Sequence, residues 1–285
     1  MATQMTQIPV ISAFEAAVML MAKKAGTSPC VTSVDLGRKK IEASFDGEGV
    51  TLADVRLNWQ QVEQISRREH VCFEIIDGDL IPIREYSEET RRYYSLYATG
   101  TAPTMLISGI PMHRIKNTDP WRDTEAKIAA TKPISGRVLD TATGLGYTAI
   151  LAAATASVVV TIELDPAASA VAARNPYSVE LFENPKIERR FGDSFNEIMT
   201  FPAESFDTIL HDPPTMSLGG QLYSSTFYSR AYAVLRRGGL MFHYIGDPDS
   251  RTGASVTAGV RRRLLEAGFS RVVPQPAAFG VTAYK

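Results

Sequence analysis

The sequence predicts an α/β protein, with a seven-stranded, mostly parallel, doubly wound sheet preceded by a small α+β domain. Three observations lead there. From about Arg137 onward, short β-branched runs alternate with helical patterns, as in a parallel sheet covered by helices on both faces. The residues before that point lack the alternation and hold hairpin and turn signals instead. The last two strand candidates are separated only by a short stretch around Pro276, too short for a crossover helix, so they must pair antiparallel. The domains are placed at 1–115 (an α+β domain plus connecting segment) and 116–285 (the sheet domain).

In chain order, the apolar run Ile8–Ala22 is interrupted by Glu15 and follows no basic stretch. It reads as an amphipathic core helix, Ala13–Lys24, and not as a signal peptide. Cys30–Leu36 and Lys40–Phe45 read as strands around Gly37, and Asp46-Gly-Glu-Gly49 as a turn. Leu57–Arg68 has helical spacing. Val71–Ile76 and Leu80–Arg84 flank Asp77-Gly78, a type I′ hairpin signal. Tyr86-Ser87-Glu88-Glu89 reads as the opening of a helix with Ser87 as N-cap. Asp119–Thr131 reads as a helix leading into the sheet. The sheet strands are Gly136–Asp140, Ser157–Glu163, Lys186–Phe191, Phe206–His211, Gly239–Tyr244, Arg271–Gln275 and Ala278–Ala283. Alanine-rich helices, Thr148–Ala156 and Ala167–Arg174, lie between the early ones.

The 285 residues are 45% hydrophobic and 21% charged, enough to bury a core without disulfides. A net charge of −1 argues against a global basic field for nucleic acid. Cys30 and Cys72 have neither C-x-x-C spacing nor a neighbouring His cluster, which fits structural thiols in a reducing compartment. No metal site is expected. No run approaches the ~18 apolar residues of a membrane span. The expectation is a cytoplasmic protein with a small-molecule substrate favoured over RNA and no membrane partner. A homo-oligomer is compatible with it.

The stretch with the most chemistry is Asp140-Thr-Ala-Thr-Gly-Leu-Gly-Tyr-Thr-Ala-Ile150, a glycine loop between a strand and a helix. Gly144-x-Gly146-x-x-Ala149, with Glu163 19 residues beyond Gly144, matches a dinucleotide fingerprint. A Walker-type phosphate loop is excluded, because no Gly-Lys-Ser/Thr follows. Asp140 ends the strand itself. An acid there sits poorly beside a pyrophosphate, but well beside the ammonium and sulfonium of S-adenosyl-L-methionine (SAM). Further acids, Glu163, Asp193 and Asp212, stand at the ends of the following strand candidates. Ligands of open α/β sheets bind at such ends.

On these residues the run from Val138 to Lys285 resembles a class I SAM-dependent methyltransferase. The resemblance implies a Rossmann-like catalytic domain that binds SAM and transfers its methyl group by in-line displacement. It implies that the loop residues Asp140, Thr141, Ala142, Gly144, Gly146 and Tyr147 hold the methionine end. Ala142 departs from the usual first glycine of that loop. Glu163 with Leu164 would hold the ribose, and Asp193 with Ser194 the adenine. Asp212-Pro213-Pro214-Thr215 resembles the Asp/Asn-Pro-Pro-aromatic motif of SAM enzymes that methylate nitrogen in planar groups. There the side-chain oxygen and a proline carbonyl accept N–H bonds and aim the nitrogen. Thr215 stands where the aromatic usually sits, and Tyr223, Phe227 and Tyr228 are candidates to supply an aromatic face.

A second resemblance is to spermidine synthases, aminopropyltransferases that use decarboxylated SAM. Asp212–Tyr228 carries it, through Asp212, Gln221-Leu-Tyr223 and Phe227-Tyr228. The acid those enzymes carry after the glycine loop is missing from Gly144-Leu-Gly146-Tyr147, and Met216-Ser-Leu-Gly-Gly220 adds none. Methyl transfer is therefore the leading expectation, with Asp212, Pro213 and Tyr223 as catalytic residues. Aminopropyl transfer, an NAD-dependent oxidoreductase and a non-catalytic scaffold remain as alternatives. His113, His211 and His243 read as packed or hydrogen-bonded histidines. Tyr93, Tyr94 and Tyr97 with Arg91, Arg92 and Arg114 could line a substrate mouth; a packed connecting segment is the plainer reading.

Overall fold

A computed structural model describes residues 8–250 and 253–285. The chain divides into two compact units. One comprises the residues up to Pro120 together with Ala167–Val179; the other comprises Trp121–Pro166 and Glu180–Lys285.

Up to Pro120, the described residues of the first unit form short antiparallel sheets and two helices, and Ala167–Val179 adds most of the helix Pro166–Ala173. Helix Ala13–Ala25 begins at a capping box, in which Ser12 and Glu15 satisfy each other's backbone and side-chain groups. Strands Cys30–Thr32, Ile41–Phe45, Gly49–Leu52 and Val55–Asn58 form a four-stranded meander. Leu57 and Asn58 belong to its last strand, so the helix expected from Leu57 starts later, at Trp59, with Asn58 as N-cap. Phe73–Ile76 and Asp79–Pro82 pair across Asp77-Gly78, both at positive φ, as a type I′ turn requires. Ile11, Met19, Leu52, Leu57, Ile65 and Phe73 lie at the centre of this unit's core. Cys30 and Cys72 are buried free thiols.

The helix expected from Ser87 does not form. Arg84–Ser87 is a strand paired with Arg92–Tyr97, inside a sheet that continues through Thr104–Ile107 to Ile110–Pro111. The Ser87 hydroxyl does accept from the Thr90 N–H at 3.2 Å, as an N-cap would. Here that bond closes a hairpin turn, which Arg91 completes at φ 53°. Segment Ala167–Val179 joins the same unit through Arg174, whose guanidinium meets Glu85 at 2.5 Å and the buried Glu74 at 3.7 Å. The Tyr177 hydroxyl donates to the Leu36 carbonyl at 3.3 Å.

The second unit holds a seven-stranded sheet, whose strands we label in chain order: β1 (Arg137–Asp140), β2 (Val158–Glu163), β3 (Ile187–Phe191), β4 (Phe206–His211), β5 (Leu235–Tyr244), β6 (Arg271–Gln275) and β7 (Gly280–Tyr284). Their spatial order is β3-β2-β1-β4-β5-β7-β6. β1 to β5 pair in parallel, and β7 runs antiparallel to both β5 and β6. β2 is buried on both faces through Val159–Ile162, which explains its near-continuous apolar sequence. β5 starts four residues earlier than its apolar run, at Leu235, beyond an irregularity in its pairing with β4. Leu139, Ile162, Phe206, Ile209, Phe227 and Met241 anchor the core of this unit. Among the described residues, no helix is long and apolar enough to cross a membrane.

Candidate functional site

The chain leaves β1 toward β2 and β3, then returns to the other side of β1 as β4. Between β1 and β4 the winding reverses. Such a switch point opens a crevice at the carboxyl ends of the two strands, the usual ligand position in open α/β sheets. Asp140 and Glu163 end β1 and β2; Asp193 and Asp212 follow the ends of β3 and β4.

Asp140 is fully enclosed. Its Oδ2 accepts from the hydroxyls of Thr148 and Thr161, each at 3.0 Å, while Oδ1 meets no hydrogen-bond geometry among the described residues. Burial raises its pKa to about 7; the two threonine hydroxyls work against that and the Asp212 charge adds to it. The loop that follows is pinned on several sides. The Thr141 N–H donates to the Leu210 carbonyl at 3.0 Å, its hydroxyl meets His211 Nδ1 at 2.6 Å, and its carbonyl accepts from the Ser194 hydroxyl at 2.5 Å. Gly146, at φ 78°, caps helix Tyr147–Ala153. A Cβ at Gly146 would lie 2.6 Å from the Leu181 side chain, so only glycine fits. Tyr147 is buried, its ring centroid 5.4 Å from that of Trp121. Ala142 and Gly144 remain partly exposed.

Glu163 reaches back to the loop. Its Oε2 accepts from the Gly144 N–H at 2.9 Å and its Oε1 from the Asp165 N–H at 3.0 Å. Burial lifts its pKa to about 7, against the pull of these amides. Leu164 beside it is exposed. Asp193 caps the short helix Ser194–Glu197 through the Phe195 N–H at 2.9 Å, and its other oxygen accepts from the Gln221 side chain at 2.8 Å. That bond ties the end of β3 to the segment after β4.

Asp212 holds a partner that sequence reasoning missed. Lys127, on helix Pro120–Ala129, places Nζ 2.6 Å from Asp212 Oδ2 and 3.0 Å from Asp123 Oδ2. The Tyr244 ring centroid lies 4.6 Å from the same Nζ. Burial works against the Lys127 charge, but Asp212 and Asp123 outweigh it and hold the ammonium above its ordinary pKa. Asp123 and Lys127 are four apart on one helix, a spacing that in sequence reads as a solvated surface pair. Pro213 is buried, and the Pro214 carbonyl accepts from the Tyr223 hydroxyl at 3.1 Å. Tyr223 is itself buried, and burial raises its pKa. Phe227 and Tyr228 are fully enclosed in the core and offer no ring to a ligand.

His211 and His243 are packed residues. His211 bonds Thr141 and the Leu222 carbonyl, and burial depresses its pKa to about 3. His243 Nε2 pairs with the Tyr228 hydroxyl at 2.9 Å. In the first unit, His113 meets Thr104 at 3.0 Å. Tyr93 is exposed on its strand and Tyr94 is buried, as alternation along a strand dictates, so these tyrosines do not form one lining.

No family model matches the chain. It is 41% identical over 226 residues to the uncharacterized protein MJ1233 of Methanocaldococcus jannaschii, over 79% of this chain and 77% of that protein. The chain belongs to the family of that archaeal protein. Among solved structures, a spermidine synthase in complex with the transition-state analogue AdoDATO matches with a TM-score of 0.59 and 17% identity, over 74% of each chain. The spermidine synthase of Thermotoga maritima matches with a TM-score of 0.55 and 16% identity, over 74% of this chain and 73% of its own. At these identities the likeness is one of fold alone, to the fold of spermidine synthases.

Proposed function

We propose that this protein is a SAM-dependent methyltransferase in which Asp212 and the Pro213 carbonyl orient the methyl acceptor. The observation that carries the reading is the set of carboxylates around the β1/β4 switch point, above all the fully enclosed Asp140. Burial brings Asp140 and Glu163 close to neutral pKa values, so a cationic ligand would be welcomed there and a pyrophosphate opposed. The residues present therefore fit SAM better than NAD. When bound, SAM supplies an electrophilic methyl group on a sulfonium.

The chain's own residues do the rest. The loop from Asp140 to Tyr147, with Thr141, Ala142, Gly144 and Gly146, would hold the methionine end. Glu163 and Leu164 would hold the ribose, and Asp193 and Ser194 the adenine. Tyr223 occupies the Pro214 carbonyl and stiffens the turn that carries Asp212 and Pro213. Positioning of this kind is a large part of transfer catalysis. A small-molecule acceptor fits a chain without net basic charge better than RNA does.

Aminopropyl transfer is the second reading, favoured by the fold likeness to spermidine synthases. Calorimetric titration with SAM, decarboxylated SAM and NAD in parallel separates the readings. SAM binding that is lost in Glu163→Ala is expected. Preference for decarboxylated SAM would move the assignment to aminopropyl transfer, and binding of NAD alone would overturn both. Asp212→Ala should then abolish turnover; turnover that survives with unchanged SAM affinity removes Asp212 from the catalytic role.

A further inference from the structure

Helix Pro120–Ala129 has an unusual buried face. Asp123, Thr124 and Lys127 on it, and Thr131 just beyond it, are each exposed by 1% or less. A helix packed in a core normally buries an apolar stripe, and an ammonium taken out of water is tolerated only when paired. Lys127 is paired twice, to Asp123 at 3.0 Å and to Asp212 at 2.6 Å. The two carboxylates differ in access. The Asp123 side chain is wholly enclosed, whereas that of Asp212 keeps 14% of its surface exposed. Asp212 is thus the outward member of a buried Asp–Lys–Asp array, on the turn that ends β4.

We infer that Lys127 is a specificity-determining residue that reserves Asp212 for an uncharged N–H donor and turns away acceptors that present an ammonium group. The inference rests on the methyl-transfer reading and narrows its substrate class. Lys127 offsets one of the two carboxylates it touches, and a second cation bonded to Asp212 would lie within roughly 5–7 Å of Lys127 Nζ, so it is held less tightly than Asp212 without Lys127 would hold it. An uncharged amide, ring N–H or aromatic amine does not meet that repulsion, and the proton its nitrogen loses on methylation leaves to bulk water while Asp212 stays bonded to Lys127. Such a donor needs only an acceptor oxygen held in a fixed orientation, which the ion pair provides.

The test is calorimetric titration of spermidine, a polycation, into protein saturated with S-adenosylhomocysteine, which prevents turnover. The wild type is expected to bind spermidine no more tightly than millimolar. Lys127→Gln should tighten it about tenfold or more, while Lys127→Arg stays at the wild-type value. Adding Asp212→Asn to Lys127→Gln should cancel the gain. Wild-type binding as tight as that of Lys127→Gln overturns the inference, and so does a gain that survives Asp212→Asn. If Lys127→Gln does not fold, Asp123→Asn/Lys127→Gln removes the enclosed pair together and the same reading decides. Submillimolar wild-type binding is fatal on its own. Failure of the wild type to bind either SAM or S-adenosylhomocysteine is a separate result, and it removes the cofactor reading together with this inference.

Discussion

The Glu163 carboxylate bridges two backbone amides, that of Gly144 at 2.9 Å and that of Asp165 at 3.0 Å, and so joins the end of β2 to the glycine loop after β1. In Glu163→Gln, one acceptor oxygen becomes an amide donor facing an N–H. The expected loss of stability is about 1–3 kcal/mol, read from urea denaturation. SAM affinity should fall about tenfold or more, because Glu163 is also the proposed ribose ligand. Unchanged values in both measurements would mean that the bridge is incidental.

Asp140 sets a pH dependence whose sign follows from its raised pKa. Its ordinary value is 3.8, and burial takes it to about 7 in the folded chain. The folded state therefore holds this proton more tightly than the unfolded state. The contribution is fully present below pH 4 and is lost as pH rises through 7. Over that window it amounts to on the order of 4 kcal/mol. Ligand-free wild type compared with Asp140→Asn should show a stability difference that moves against the wild type between pH 4 and pH 8. A difference that stays flat with pH would refute the assignment.

A bound cation reverses that preference. Proton release should therefore accompany SAM binding near pH 7, as Asp140 and Glu163 ionise. Titrations in buffers of different ionisation enthalpy measure the release directly. Heats independent of buffer would show that neither group changes its protonation.

Two glycines should fail for different reasons. Gly146 sits at φ 78° with Leu181 2.6 Å from where a Cβ would stand. Gly78 sits at φ 84° in its hairpin, with open space among the described residues where a Cβ would stand. Gly146→Ala combines strain with a clash and should cost about 2–4 kcal/mol. Gly78→Ala carries backbone strain alone and should cost about 1 kcal/mol. Adding Leu181→Ala to Gly146→Ala should relieve its clash but not its strain, and urea midpoints of the three variants check the order.

The centre of the sheet was legible in the sequence because its strands there are buried on both faces. The run Val158–Ile162 is apolar or β-branched throughout and leads directly into the acid Glu163. The short gap at Pro276 was enough to set β6 and β7 antiparallel. Local signals failed where a distant strand decides the outcome. Ser87-Glu88-Glu89 carries a helix-start signature and makes the corresponding bond, yet pairing with Arg92–Tyr97 wins. In the candidate site, the carboxylates could be read from strand ends. Their partners could not, because Thr161 lies within a strand and Lys127 looks like half of a surface pair until the fold encloses it.

Segment Ala167–Val179 lies in the middle of the sheet-forming stretch but completes the other unit. On the ribosome, the first unit must wait for it. The buried Glu74 carboxylate meets the Arg174 guanidinium only after β1 and β2 have already been synthesised. Vectorial folding usually finishes an N-terminal unit before the next begins. In this chain the two are interleaved, and a truncation after Pro120 leaves the first unit without Ala167–Val179.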